Sequence, residues 1–211
     1  MEKKIRIIAT IQDGLKIGLV NYFSLVAAAV LYVLTIWIPY LNVGTSIAMT
    51  SLPAELAKGH VVNPLFIFER RYRKNMGEFF ILFSLMTGAI GMGCMFGLIP
   101  GFVIGVAWSF AVVLFVDKDL PALESLRESN RITYGHKARI FWTEMLVCLV
   151  LCVAVGLVTL LFGIGEVRAL EVIGIIINCI IIVFMIPALY GVEASLYRQL
   201  TTGEFIGQEE K

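Results

Sequence analysis

Two long stretches without Asp, Glu, Lys or Arg constrain the fold of this chain more than any other feature. Residues 17–54 and residues 79–116 are each 38 residues long and contain none of these four residue types. A straight helix of that length would measure about 57 Å, nearly twice the ~30 Å hydrocarbon core of a bilayer. Each stretch must therefore reverse direction once, which predicts two membrane-spanning helical hairpins.

Both stretches carry turn residues near their middle. Residues 39–44 and residues 97–101 combine proline, which lacks a backbone donor, with glycine, which relaxes the backbone at the reversal. Lipid offers the backbone no hydrogen-bond partner, so spans are expected to be helical. The sequence predicts an all-α transmembrane bundle, a single domain over residues 1–211, with about six spans in three hairpins. The expected spans are 19–38, 43–57, 79–98, 101–116, 145–165 and 172–192, with the third turn at 166–171.

The composition agrees with a membrane protein. Hydrophobic residues make up 59% of the chain and charged residues 16%, with a mean hydropathy of +0.88, whereas soluble domains carry about 25% charged residues. The charged N-terminal residues and the length of the first apolar run argue against a removable signal peptide. The balance of 17 basic and 16 acidic residues gives no indication of a nucleic-acid partner. Membrane lipids are the expected surroundings.

Residues 43–57 form the weakest of the six predicted spans. A helix of their composition is poorly suited to face lipid. Two alternatives to an ordinary span remain open: a re-entrant segment, and a helix enclosed by the others. The polar and helix-disfavouring residues that make this segment unsuited to face lipid are Gly44, Thr45, Ser46, Thr50, Ser51, Pro53 and Glu55.

The basic residues predict the orientation. With six spans, 16 of the 17 Lys and Arg residues fall on the side of the two termini, and only Arg168 falls on the other. Basic residues accumulate on the cytoplasmic side, so both termini are expected in the cytoplasm. A segment 43–57 that returned to the side it left would move the basic residues of 70–74 outside, which favours a full crossing.

Two amphipathic segments precede spans one and five. In the first, Ile8 and Leu15 alternate at helical spacing with Thr10 and Asp13. In the second, residues 119–131, apolar and charged side chains also occupy opposite faces. Both are predicted to be short helices on the cytoplasmic membrane surface. For the second, a solvated helix packed against loops is an equal alternative.

An internal duplication is suggested by the pattern S-L-x-x-x-L-x-x-G, which occurs at residues 51–59 and 195–203. Each copy follows a predicted surface helix and two spans. The pattern suggests parallel repeats, residues 5–60 and 120–204, on either side of a central hairpin, residues 75–117. Parallel repeats build some transporters around a central site. Four identities in nine positions leave chance as an alternative.

The central hairpin contains Gly93, Gly97, Gly101 and Gly105 at intervals of four. This spacing lets helix backbones approach closely in lipid. We therefore expect close packing of spans three and four, or a seam with another membrane protein or a second copy of the chain. A flexible or pore-lining hairpin is the alternative.

Sequence motifs of enzymes and cofactor sites are absent. The chain has no phosphate-binding loop, no G-x-S-x-G and no H-E-x-x-H. Cys148 and Cys152 are four residues apart, but no His or carboxylate joins them at that depth. These two, with Cys94 and Cys179, are interpreted as small buried apolar residues rather than metal ligands. We expect no enzymatic activity, no cofactor and no metal.

Ionisable groups near the lipid are the best candidates for function because their placement is costly. The acidic candidates Glu55, Glu144 and Glu193 lie one to two turns inside cytoplasmic helix ends. They are expected either to pair with basic residues such as Arg139 and Arg198, or to line a polar vestibule that faces the cytoplasm.

Three further polar residues are candidates. Asn178 lies near the middle of the sixth span, where it is expected to bond to Thr87, Ser109 or Thr159 on another helix or to contact a substrate. His60 and His136 each follow a glycine at a helix boundary. They are interpreted as exposed loop residues or, paired with Glu55 or Glu128, as a proton-linked switch.

Residues 122–129 (A-L-E-S-L-R-E-S) and residues 133–141 (T-Y-G-H-K-A-R-I-F) resemble a pattern that follows the fourth span in a known family. Residues 56–59 (L-A-K-G) are similar to its L-A-x-G exit. The family is the YciC-like group of uncharacterised bacterial polytopic membrane proteins, related to the membrane domain that accompanies some glycerophosphodiester phosphodiesterases. The resemblance implies six spans and a bacterial plasma membrane, and it implies no catalytic residues.

Two functions follow from the sequence. The favoured one is a non-enzymatic accessory, scaffold or immunity-type membrane subunit, because site chemistry is absent and small-residue seams are present. The alternative is a small permease or a substrate-binding subunit of a transporter, which the possible repeat, the polar second span and Asn178 favour.

Overall fold

The computed structural model describes residues 6–163 and 168–202, and every regular element in these ranges is helical. The α-helices, with a 3-10 turn at Pro64–Phe68 between α3 and α4, are α1 (Ile7–Val20), α2 (Tyr22–Thr35), α3 (Leu41–Ala57), α4 (Arg71–Lys74), α5 (Met76–Met95), α6 (Leu98–Trp108), α7 (Ala111–Asp117), α8 (Ala122–Thr133), α9 (Lys137–Gly163) and α10 (Arg168–Thr201). The prediction of an all-α chain is confirmed for the described residues.

Four helical segments of the described chain are long and apolar enough to cross a membrane. They are Met76–Met95, Leu98–Asp117, Lys137–Phe162 and Glu171–Thr201. A fifth crossing results if α1 and α2, which meet at an angle of 73°, form one broken span. The number of six crossings therefore stays a prediction, because α2 has only 14 residues and α3 only 17.

Large apolar side chains cover the outside of the bundle. Trp37 is 86% exposed, Met95 88% and Phe96 84%. Burying a large apolar side chain away from water is worth about 1.5–3 kcal/mol, so a surface of this kind requires lipid or a protein partner. The structure is consistent with a multi-pass membrane protein.

The central hairpin closely matches its prediction. Helix α5 ends at Met95 and α6 begins at Leu98, so the reversal falls at Gly97, whose φ of 126° only glycine adopts readily. Pro100 lies in the first turn of α6, where its missing N–H is tolerated. The helix is interrupted once more between Trp108 and Ala111, and α7 then continues to Asp117.

The other two hairpins differ from their predictions at the turns. The first reverses over residues 36–40, a few residues before the expected 39–44, and Tyr40 there has a φ of 71°. The predicted third turn, residues 166–171, falls partly outside the described residues, and its last residues belong to α10. Helix α9 begins earlier and α10 ends later than the predicted spans, and the 34 residues of α10 measure about 51 Å.

Helix α3 is enclosed by the other helices, one of the two alternatives raised for residues 43–57. Its side chains Ile47, Ala48, Leu52 and Leu56 are at most 1% exposed. They pack against α10, α7 and α2. Its Thr and Ser hydroxyls donate to carbonyls of the same helix, as Ser51 does to Ala48, so they need no partner from the surroundings.

Helix α1 packs tightly along the C-terminal half of α10. A Cβ atom on Gly191 would overlap the backbone of Gly14, and a Cβ on Gly18 would overlap the carbonyl of Pro187. A helix on the membrane surface would turn its polar side chains toward water, but in α1 these side chains are buried. Thr10 is 0% exposed and Asp13 is 5% exposed. The prediction for these two side chains was wrong, because lipid favours an apolar outside and a polar side turned toward protein.

Helix α8 packs against α5, α6 and α7, at the end of the central hairpin that is remote from its turn. Its Ser129 donates a hydrogen bond to the carbonyl of Ala107 at 2.9 Å. Asp119, just before the helix, accepts a hydrogen bond from Asn75 and does not cap the helix. The backbone N–H of Ala122 is instead bonded to the Glu78 carboxylate of α5, at 3.2 Å.

Candidate ligand cavity between helices α3, α6–α7, α9 and α10

A cavity of about 340 Å³ lies where four parts of the bundle meet. On α10, Ile186, Leu189, Tyr190 and Glu193 follow helical spacing, so they share the face that lines it. The remaining lining residues are Thr50 of α3, Ser109 and Phe110 at the break between α6 and α7, Val113 of α7 and Glu144 of α9. The cavity therefore combines an apolar wall with two carboxylates and three hydroxyl groups.

Glu144 and Glu193 reach this cavity from different helices, and both are half-buried. Both side chains line the same cavity wall region where α9 and α10 meet. Within residues 6–163 and 168–202, neither carboxylate takes part in an ion pair or hydrogen bond. Two acidic groups thus face a shared space without a basic partner, an arrangement that is costly in a membrane protein.

Arg139, an expected partner of these acids, does not pair with Glu144. Its Nη1 atom is buried and lacks a hydrogen-bond partner in the described structure. The two residues are five apart on α9, a spacing that turns them to different sides of the helix.

Glu55 belongs to a separate ion-pair network near the C-terminal ends of α3 and α7. Its carboxylate contacts Lys58 at 2.9 Å and Arg71 at 3.0 Å. Lys58 lies 3.8 Å from Asp117, which in turn accepts a 2.6 Å hydrogen bond from the Tyr197 hydroxyl. This network is the kind of acid–base stitching expected from the sequence, and it joins α3, α4, α7 and α10.

The remaining polar candidates lie away from the cavity. Asn178 donates a hydrogen bond to Thr159 at 2.9 Å and so links α10 to α9, one of its three expected partners. His60 is exposed after Gly59. His136 lies just before α9 with its Nδ1 atom buried and unpartnered. In the described residues, neither histidine forms an ion pair with a carboxylate.

The four glycines of the central hairpin occupy different environments. Gly93 faces Gly101 across the hairpin, where an added Cβ would lie 2.9 Å from backbone atoms. Gly97 forms the turn, and Gly105 has open space where a side chain would begin. Of these four glycines, therefore, Gly93 and Gly101 are the two that pack closely against other described residues.

The cysteines are exposed rather than buried, contrary to the sequence interpretation. Their weakly polar thiols are tolerated on a surface that faces lipid. The described residues contain no group of three or more His, Cys, Asp or Glu side chains that could hold a metal ion.

A second polar cluster, which the sequence did not predict, lies between α1 and α10. The Ser195 hydroxyl donates to Asp13 at 2.8 Å, and Gln199 donates to Ser195 at 3.0 Å and to Thr10 at 3.1 Å. The i, i+3 spacing of Thr10 and Asp13 and the i, i+4 spacing of Ser195 and Gln199 were the available signals. Only the pairing of two distant helices reveals that they meet.

No family model, curated protein or solved structure matches this chain.

Proposed function

We propose that the chain is a bacterial plasma-membrane protein with both termini in the cytoplasm, akin to the YciC-like group, and that it binds a cationic substrate between its helices as a small permease or as the substrate-binding subunit of a transporter. The observation that carries this proposal is the pair of carboxylates, Glu144 and Glu193, that face one cavity without a basic partner. The acid–base pairing of helix ends that the sequence predicts accounts for Glu55, but it does not account for Glu144 or Glu193.

The chemistry of the cavity suits a cation. A positively charged group between the carboxylates offsets both their mutual repulsion and the cost of keeping them away from water. The hydroxyl oxygens of Thr50, Ser109 and Tyr190 supply acceptors for N–H donors, and the Tyr190 ring supplies a face for cation–π contact. An anion gains none of these contacts.

Two irregularities in the helices flank the cavity. Pro187 interrupts the hydrogen bonding of α10 one turn before the face that carries Tyr190 and Glu193. The break between α6 and α7 places Ser109 at the cavity wall. Interrupted helices beside a binding site allow the packing around it to change, as transport requires.

The accessory role is the second candidate, and the exposed glycines of α5 favour it. Added Cβ atoms on Gly88 and Gly91 would meet no protein atom within 4 Å. A helix face of this kind accepts another membrane helix, from a partner protein or a second copy of the chain.

Thermal unfolding of the purified protein in detergent separates the two candidates. We expect small ammonium ions to raise the Tm of the wild-type protein and to have no effect on Glu144→Gln or Glu193→Gln, while carboxylate ions of the same size leave all three unchanged. Glu124→Gln, on the exposed side of α8, is the control and responds like the wild type. No response to any cation, together with a stoichiometric membrane partner in the purified sample, would favour the accessory role instead.

A further inference from the structure

An apolar groove of about 500 Å³ runs beside the cavity, between the α5–α6 hairpin and α9. Its walls are almost entirely apolar, and it is open along one side. The residues that form most of the wall are Ile90, Leu98, Phe102, Val106, Phe141 and Met145.

The groove adjoins the cavity, since two residues line both. Ser109 and Glu144 contribute to the wall of each. Leu98, at the far end of the groove, lies eleven residues before Ser109, which corresponds to about 16 Å along the helix. That length matches the depth of one leaflet, half of the ~30 Å hydrocarbon core.

Gly105 leaves the groove open at mid-length. It lines the groove, and a Cβ atom built there meets no protein atom within 4 Å. The space is therefore not consumed by close helix packing, as it is at Gly101, where a Cβ would overlap the Cys94 sulfur.

We propose that the substrate is a single-chain amphiphile with an ammonium head, whose head lies between Glu144 and Glu193 and whose hydrocarbon chain lies in the groove. This inference rests on the proposed function and adds the substrate class to it. The two carboxylates determine the sign of the head group, since a neutral or anionic head leaves them unpaired. The apolar walls and the open side of the groove favour a hydrocarbon chain on this substrate. That hydrocarbon chain enters the groove from the surrounding lipid without crossing water.

Binding of an alkylammonium series tests the inference. Native mass spectrometry of the detergent-purified protein measures the bound fraction of ethyl-, octyl- and tetradecylammonium, with myristate as the anion of matched chain length. We expect tetradecylammonium to bind at least about tenfold more tightly than ethylammonium, because each buried methylene contributes. Myristate should bind no better than ethylammonium. This series needs no variant and so does not depend on the folding of one.

Two matched glycine variants then test where the hydrocarbon chain of the ligand lies. Gly105→Leu fills the groove and should weaken tetradecylammonium binding about tenfold while it leaves ethylammonium binding unchanged. Gly156→Leu is the control, because Gly156 also has open space at its Cβ position but lies outside both the groove and the cavity. It should bind all ligands like the wild type.

The failures of the two proposals differ. If ethylammonium and tetradecylammonium bind equally and both are lost in Glu144→Gln, the amphiphile inference is wrong and cation binding stands. If no ammonium ion depends on Glu144 or Glu193, the proposed function is wrong as well. Equal binding of myristate and tetradecylammonium also overturns both, since the carboxylates then play no part in recognition.

Discussion

Glu144 of α9 and Glu193 of α10 line the same cavity, and neither carboxylate has a basic partner among the described residues. By contrast, Glu55 contacts Lys58 and Arg71 at about 3 Å. The contrast separates an acid that holds helices together from two acids that lack such partners and that we propose bind a ligand.

Removing the charge of Glu193 should stabilise the protein without ligand. Glu193→Gln keeps the shape of the side chain and removes a half-buried, unpaired charge, so we expect a gain of about 1 kcal/mol and a rise in Tm of about 2–4 °C. Glu55→Gln is the matched opposite: it loses two ion pairs and should lower the stability by up to about 1 kcal/mol. Thermal unfolding in detergent measures both, and destabilisation by Glu193→Gln would show that this carboxylate has a partner.

The contact between α1 and α10 should not tolerate a methyl group. In Gly191→Ala the new Cβ overlaps backbone atoms of Gly14 and Gly18, which cannot move without separating the helices. We expect a loss of about 1–3 kcal/mol. Gly156→Ala on α9 meets open space and should gain up to about 1 kcal/mol, because alanine favours a helix. Equal effects of the two substitutions in thermal unfolding would contradict the packing of α1.

The start of α8 should depend on a carboxylate from another helix. Glu78 accepts the hydrogen bond of the Ala122 N–H, so Glu78→Ala should cost about 1 kcal/mol and speed hydrogen exchange in the first turn of α8. Glu124 lies in the same first turn but makes no cap hydrogen bond. Glu124→Ala should therefore leave the exchange of that turn nearly unchanged, and a similar acceleration in both variants would argue against the Glu78 cap.

The link between α7 and α8 should weaken in acid. Hydrogen bonds from Arg131, at 2.6 and 2.7 Å, and from Lys118 lower the pKa of Glu128 from 4.5 to about 2. A carboxylate with a lowered folded-state pKa stabilises the fold above its unfolded-state value, and this contribution is lost as the pH falls from 4.5 toward 2. Because Arg131 is fully exposed, solvent screens the pair and we expect only a small loss of stability.

A comparison of the wild-type protein with Glu128→Gln checks that pH dependence. The difference in their unfolding free energies should be largest near neutral pH, shrink steadily in acid and shrink also in high salt. A difference that does not change with pH would mean that Glu128 is not held ionised by these partners.

The sequence predicted those parts of the fold that depend on local pattern. The length of the charge-free stretch and the Gly97–Gly101 turn were sufficient to predict the central hairpin, because the thickness of a bilayer limits the length of a membrane-spanning helix. The polarity of residues 43–57 correctly raised the alternative of an enclosed helix. Asn178 donates a hydrogen bond to Thr159, one of the three partners expected from its position in the sixth span.

The rest depended on contacts between distant helices. The pairing of α1 with α10 reversed the expected environment of Thr10 and Asp13, since helical spacing identifies a face but not what covers it. The sequence offered Arg139 as a partner for Glu144, yet side-chain direction on α9 keeps them apart. Glu144 and Glu193 were separate candidates by sequence, and only the meeting of α9 and α10 places them in one cavity.

Chemical labelling of the two carboxylates tests the central claim most directly. Dicyclohexylcarbodiimide modifies accessible carboxyl groups within membranes, and peptide mass spectrometry reports the modified fraction at Glu144, Glu193 and Glu55. We predict that Glu144 and Glu193 are labelled in the free protein and protected by tetradecylammonium, while the ion-paired Glu55 is labelled little in either case. Labelling of Glu144 and Glu193 that is unchanged by every alkylammonium ion would contradict the claim that this cavity binds a cationic group.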